Sequence, residues 1–166
     1  MKKLLGIGIF GALALGAYKL FGMKSMSDKF VTGLSNPRVY KVNMSGITFR
    51  TEIKIQNPTN NSMTITKPVV TLSTNGNYIT SNSPESKTFE IKPLTTTMID
   101  TIEITVSWLI LAGYVKGIVG KVPAIIVAFT KGDLTSIGKE LAIPIEMKYT
   151  LYANNLYVES APEKLL

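Results

Sequence analysis

From Ile47 to Gln56 the chain alternates strictly. Ile47, Phe49, Thr51, Ile53 and Ile55 fill one set of positions, and Thr48, Arg50, Glu52, Lys54 and Gln56 fill the other. A period of two residues puts one face in a core and one in water, which is how a strand of an antiparallel sheet reads. Ile143, Ile145, Met147, Tyr149 and Leu151 repeat the pattern near the end of the chain, and Tyr157 and Val158 extend it. Shorter β segments are predicted around Met63 and Ile65, over Val69 to Leu72, at Phe89 and Ile91, and from Met98 to Val106. Pro68 splits the region from Met63 to Leu72 as an edge or a bulge would, and Pro93 ends the brief strand at Phe89 and Ile91. Asn75-Gly76 is the strongest hairpin signal, because both residues tolerate the left-handed backbone that a two-residue loop needs.

One stretch breaks the alternation. Trp108, Leu109, Leu111, Ala112, Val115, Ile118 and Val119 recur at helical spacings, which predicts one helix over Trp108–Lys121 that is buried by packing. Gly113, Gly117 and Gly120 each weaken such a helix by roughly 1 kcal/mol relative to alanine. Strand character is predicted to return over Val122–Phe129 despite Pro123, followed by a Gly132-Asp133 turn. Lys116, Lys121 and Pro123 interrupt the apolar run, so about ten uninterrupted residues remain, too few to cross a bilayer.

The first residues follow a different pattern. After Lys2-Lys3, an apolar run extends from Leu4 to Tyr18, and Leu20-Phe21-Gly22-Met23 resumes it past Lys19. Through Met23 this reaches the length of about 20 residues that a spanning helix requires. Leu4, Leu5, Ile7, Ile9, Phe10, Leu13, Leu15, Tyr18, Leu20 and Phe21 would face lipid, with Lys19 snorkelling at the boundary. Gly8, Ala12 and Gly16 share one face at four-residue spacing, the register in which two helices approach closely in lipid. A cleavable signal peptide is the competing reading, with Ala12-Leu13-Ala14 resembling its cleavage site. The apolar run continues past each such cut, which favours a retained anchor. Lysines on both flanks leave its orientation undecided.

The predicted organisation is therefore an anchor over residues 1–23, a linker over 24–36, a β domain over 37–158 and a polar tail over 159–166. Composition narrows the chemistry. There is no cysteine and no histidine among the 166 residues. Disulfides, thiolate metal sites, acylated lipoprotein processing and histidine-based acid–base catalysis are thereby excluded. The net charge is +7, but residues 1–29 hold five lysines against one aspartate and so carry +4 of it. Arg38 and Arg50 are the only arginines. With the other lysines scattered singly, no nucleic-acid groove is expected. Asp100 and Glu103, three apart on a predicted strand, are expected on opposite faces. Glu52 and Glu146 fall on wet faces, and Asp133 on a turn. Asn57, Asn60 and Asn61 match no known calcium loop. No catalytic residue, metal ligand or cofactor site is predicted.

Ile53-Lys54-Ile55-Gln56-Asn57-Pro58-Thr59-Asn60 resembles the strand and Asn-Pro signature of the late embryogenesis abundant type-two family, also called the water-stress and hypersensitive-response domain. Ile91-Lys92-Pro93-Leu94-Thr95-Thr96-Thr97 is similar to that family's middle strand. Gly132-Asp133-Leu134 with Leu141-Ala142-Ile143-Pro144-Ile145 is similar to its closing segment. The order holds across residues 30–152. Asn57, Pro58, Pro93, Gly132 and Pro144 are the positions that carry the motif. The resemblance implies a mainly β, immunoglobulin-like antiparallel sandwich of about seven strands with one helix, N-terminal membrane anchoring and no catalytic residues. It does not transfer a stress role, since fold does not fix function and the lysine, asparagine and isoleucine usage looks bacterial or phage-like.

The readings that follow are a membrane-tethered structural or interaction module in a bacterial envelope or virion, with its body outside the cytoplasm. Its expected partners are membrane lipid through the N-terminal helix, other proteins and further copies of itself. One alternative is a minor virion or envelope component that assembles through the N-terminal helix. Another is a binder of an apolar or lipid ligand between the sheets, near Trp108.

Overall fold

A computed structural model describes residues 31–153 and 156–166. The anchor residues from Leu4 to Phe21, and the Gly8, Ala12 and Gly16 face, lie outside the described residues.

Among the described residues, ten strand segments and three helices follow in chain order. The strands are β1 (Val31–Asn43), β2 (Gly46–Asn57), β3 (Met63–Thr66), β4 (Val69–Thr74), β5 (Asn77–Ser81), β6 (Thr88–Ile91) and β7 (Thr95–Ser107), then β8 (Glu146–Ala153), β9 (Leu156–Glu159) and β10 (Glu163–Lys164). Between β7 and β8 come α1 (Trp108–Ala112), α2 (Ile118–Thr130) and α3 (Leu134–Leu141). The protein is mainly β, and every strand pairing is antiparallel.

Two sheets enclose one core. In the first, β2 lies between β1 and β7. In the second, β8 is central, with β3 and β4 along one edge and β9 and β10 along the other. β6 adds outside β3, and β5 outside β4. The alternation in β2 is realised: Ile47, Phe49, Ile53 and Ile55 are buried, whereas Lys54 and Gln56 are exposed. They meet Ile65, Leu72, Met147 and Tyr149 of the second sheet and Ile118, Ile125 and Ile137 of the helices in a single apolar cluster. Burial of this kind supplies roughly 2–3 kcal/mol per large aliphatic side chain, and it sets the strand register.

The turn signals hold. Asn75 and Gly76 both have positive φ, 48° and 78°, closing the β4–β5 hairpin in two residues. The break between β3 and β4 falls at Lys67-Pro68.

Several expectations are corrected. The stretch around Asn36-Pro37 is not linker. β1 begins at Val31, and these two residues form a bulge in it, with register lost between Ser35 and Arg38 and Asn36 at φ 51°. Residues Glu163 and Lys164 pair with β8, and Leu165 N–H donates to Ile145 O at 2.7 Å, so this part of the predicted tail joins the sheet.

The single helix over Trp108–Lys121 is three helices over a longer span. α1 stops at Ala112, and the chain turns through Gly117 at φ 74° into α2. That helix includes Val122 to Phe129, which was expected as strand. β-branched residues lean towards strand, but here a helix lets Ile118, Val122, Ile125 and Ala128 reach the core together. Pro123 sits in the second turn, where it lacks the N–H that would bond the Val119 carbonyl and its ring crowds that carbonyl, yet the helix continues through it. α3 was not expected. Asp133 caps it, accepting from Ser136 N–H at 3.0 Å, and Ile137 and Leu141 bury its inner face.

Candidate functional site

The motif positions divide between two places. Asn57, the last residue of β2, is fully buried at 0% exposure. Its amide nitrogen donates to Asn61 O at 2.8 Å, Lys92 O at 3.2 Å and Ile91 O at 3.3 Å. Its carbonyl oxygen accepts from Thr59 N at 3.1 Å and Thr59 Oγ1 at 2.7 Å. The asparagine thus closes the Pro58–Asn61 turn and ties it to the backbone just before Pro93. Leu94 N–H completes the tie by donating to Thr59 O at 3.0 Å. A primary amide suits this place because it both donates and accepts, so few buried polar groups are left unpaired. Gly132, at φ 72°, lies between α2 and α3, and Pro144 lies between α3 and β8. These residues build loops, and they do not converge on one reactive centre.

Most of the carboxylates are engaged by neighbours. Arg38 meets Glu52 in a two-pronged pair, Nη1 to Oε2 and Nη2 to Oε1, both at 3.1 Å. Arg50 pairs with Glu103 and lies over the Tyr40 ring, 3.1 Å from its centroid. Lys67 pairs with Glu85, Lys87 with Asp100, and Lys148 with Glu159. Asp100 and Glu103 are not on opposite faces. Register shifts between Thr51 and Ile53 of β2, where Ile102 and Ile99 of β7 are the partners. The extra residue of that bulge brings both carboxylates outward while keeping Ile99 and Ile102 buried.

Their titration follows the same logic. The hydrogen bond from Lys87 holds Asp100 below the usual carboxylate range, and that from Lys148 does so for Glu159. Asp133 is lowered by the hydroxyl of Ser136, whereas burial raises Glu163. Each of these shifts has a local structural cause. Among the described residues, no three acidic, histidine or cysteine groups gather as a metal site would need.

The helices carry a feature that sequence reasoning missed. Trp108 is buried, and its Nε1 donates to Asn43 O at 2.8 Å, fixing α1 beside the β1–β2 turn. α1 then exposes Leu109 at 83%. α2 exposes Val119 at 64% and Val127 at 50%, with Pro123 and Ala124 exposed between them. The helix expected to be buried is therefore apolar on its outer face as well. Its sequence contains the signal, since Lys121 and Thr130 are the only polar side chains in α2. No helix among the described residues is long and apolar enough to cross a membrane.

The space between the sheets is filled by fully buried side chains such as Ile53, Ile55, Ile65 and Leu72. An open groove of about 540 Å³ lies elsewhere, between α3 and the chain at Leu165 and Leu166, with Lys139 and Lys164 on its walls. A second, more polar one of about 350 Å³ lies where β7 meets the β5–β6 loop.

No family model matches the chain. No curated protein matches it significantly. Among solved structures it is similar to a crystal structure of a protein from Archaeoglobus fulgidus, at 12% identity and a TM-score of 0.40, over 83% of this chain and 98% of that one. A likeness at that score supports nothing further about this chain.

Proposed function

We propose that this chain is a non-enzymatic, membrane-tethered module with an immunoglobulin-like β-sandwich body of the late embryogenesis abundant type-two kind, held for structural or interaction purposes beside a bilayer. The observation that carries the reading is the apolar run from Leu4 to Met23 ahead of a body without histidine or cysteine. The pairing of Glu52, Glu85, Asp100, Glu103 and Glu159 with lysines and arginines supports it, because an opposite charge beside a carboxylate favours its ionised form over taking up a proton. The body belongs, in this reading, outside the cytoplasm, in a bacterial envelope or a virion.

Alkaline carbonate extraction of membranes from expressing cells tests the tether, with intact-mass measurement to detect cleavage. The protein is expected to stay with the membrane at its full mass. Release into the soluble fraction would count against the anchor. A second reading, assembly of copies through the Gly8, Ala12 and Gly16 face, rests on that four-residue spacing. Cross-linking in membranes separates it from a monomeric anchor.

A further inference from the structure

We propose that the outer face of α1 and α2 is a second membrane contact, a lipid-binding surface for anionic bilayers that lays the body along the membrane. This rests on the tether reading and adds to it where the body sits.

Helices on a protein surface ordinarily keep polar residues outward. In α2 the inner stripe of Ile118, Val122, Ile125 and Ala128 is spent on the core. Val119, Pro123 and Val127 then follow one another at four-residue spacing on the opposite side, in solvent. α1 packs against α2 and adds Leu109. Leaving so many large apolar groups in water is unfavourable unless something covers them.

Charge indicates what that is. From Ile104 to Gly132 the chain has Lys116, Lys121 and Lys131 and no acidic residue. Lys121 is drawn towards Glu140, 3.6 Å away, while no acidic partner is found for Lys116 or Lys131 among the described residues. An apolar helix face with Lys116 just before the helix and Lys131 just after it matches the acyl boundary and the anionic headgroups of a bilayer surface. Two apolar faces of identical copies would instead bring these lysines together, so the lipid surface is the better complement.

The topology sets the posture. Val31 pairs with Gln56 at one end of β1, whereas Asn43, at the other end, receives the indole hydrogen bond from Trp108 of α1. Those ends are twelve residue steps apart, at most about 40 Å at the usual rise. An anchor entering at Val31 and a helical face at the far end of the same strand give two attachments. Together they hold β1 roughly parallel to the membrane.

Because the chain has no cysteine, single probes can be placed cleanly. Full-length L109C and V127C, with S86C in the exposed β5–β6 loop as control, would carry an environment-sensitive fluorophore. Each would be reconstituted into vesicles of phosphatidylcholine with phosphatidylglycerol. The labels at 109 and 127 are expected to shift to the blue and to be quenched by brominated acyl chains, with the label at 86 unaffected. The double variant K116E/K131E should lose most of that quenching. Protein that floats with the vesicles while all three labels stay silent overturns the lipid surface and leaves the tether standing. Failure to float sinks the tether reading itself. A blue shift that appears without vesicles and grows with protein concentration assigns the face to a second copy, and likewise overturns the inference.

Discussion

The hydroxyl of Tyr149 in β8 donates to Oγ1 of Thr32 in β1 at 2.6 Å. The bond crosses from the central strand of one sheet to an edge strand of the other, between residues 117 positions apart. Tyr149 is buried, and Thr32 lies at the start of β1. It fastens the strand on which an N-terminal tether would pull.

Replacing Tyr149 with phenylalanine keeps the ring and removes the hydroxyl. We expect a loss of about 1 kcal/mol in chemical denaturation. Amide exchange should accelerate most in the first part of β1, before Asn36, and unchanged protection there would show that the bond is incidental.

Asn57 is the most demanding polar position. Asn57→Ala strands three carbonyls and the Thr59 donors, and is expected to cost about 3 kcal/mol. Asn57→Asp places a carboxylate against the carbonyls of Asn61, Ile91 and Lys92. It should be worse at neutral pH and partly recover as the acid is protonated. Urea titrations of both variants at two pH values check the pair.

Gly46 begins β2 directly against β7. A Cβ there would sit 2.1 Å from Val106 O and 2.9 Å from Ser107 Cα. Backbone cannot yield as a side-chain tip does, so Gly46→Ala is expected to destabilise by about 3 kcal/mol. Since Trp108 follows Ser107, the displacement should also redden the emission of this lone tryptophan; a wild-type spectrum with wild-type stability would falsify the contact.

Acid should weaken the fold in a defined window. Asp100, Asp133 and Glu159 have folded pKa values below their ordinary ones, through the bonds from Lys87, Ser136 and Lys148. Their stabilisation is complete above the unfolded values, about 4, and is lost as pH falls through the lower folded values. Glu163 acts in the opposite sense, since burial raises it and protonation relieves that cost. Thermal melts across this range should show a net decline below about pH 4. High salt should shrink the share owed to the exposed Lys87–Asp100 pair. Asp133→Ala should lower the melting temperature and flatten the acid limb, whereas Asp133→Asn should keep the α3 cap.

Much of the β body was legible before any coordinates. Ile47 to Gln56 and Ile145 to Leu151 alternate because each neighbour along a strand changes face, so burial writes itself locally into the chain. Asn75-Gly76 announced its hairpin for an equally local reason, backbone permissiveness. The candidate site was harder. Asn57 and Pro93 could be singled out as motif positions, but nothing near Asn57 shows that its partners are the carbonyls of Ile91 and Lys92. Asp100 and Glu103 were misplaced because one bulge residue reverses the facing of everything beyond it. Whether a strand bulges depends on the strand beside it.

By itself the sequence determined which segments have one dry side and where the chain turns. It also determined which chemistry is impossible without histidine and cysteine. Only the tertiary structure decided that Val122 to Phe129 is helix, that Asn36-Pro37 is a bulge, and that the outer side of α2 meets solvent. A segment apolar all round has no period to read. The shape of the surface it packs on selects its conformation and leaves one of its faces over.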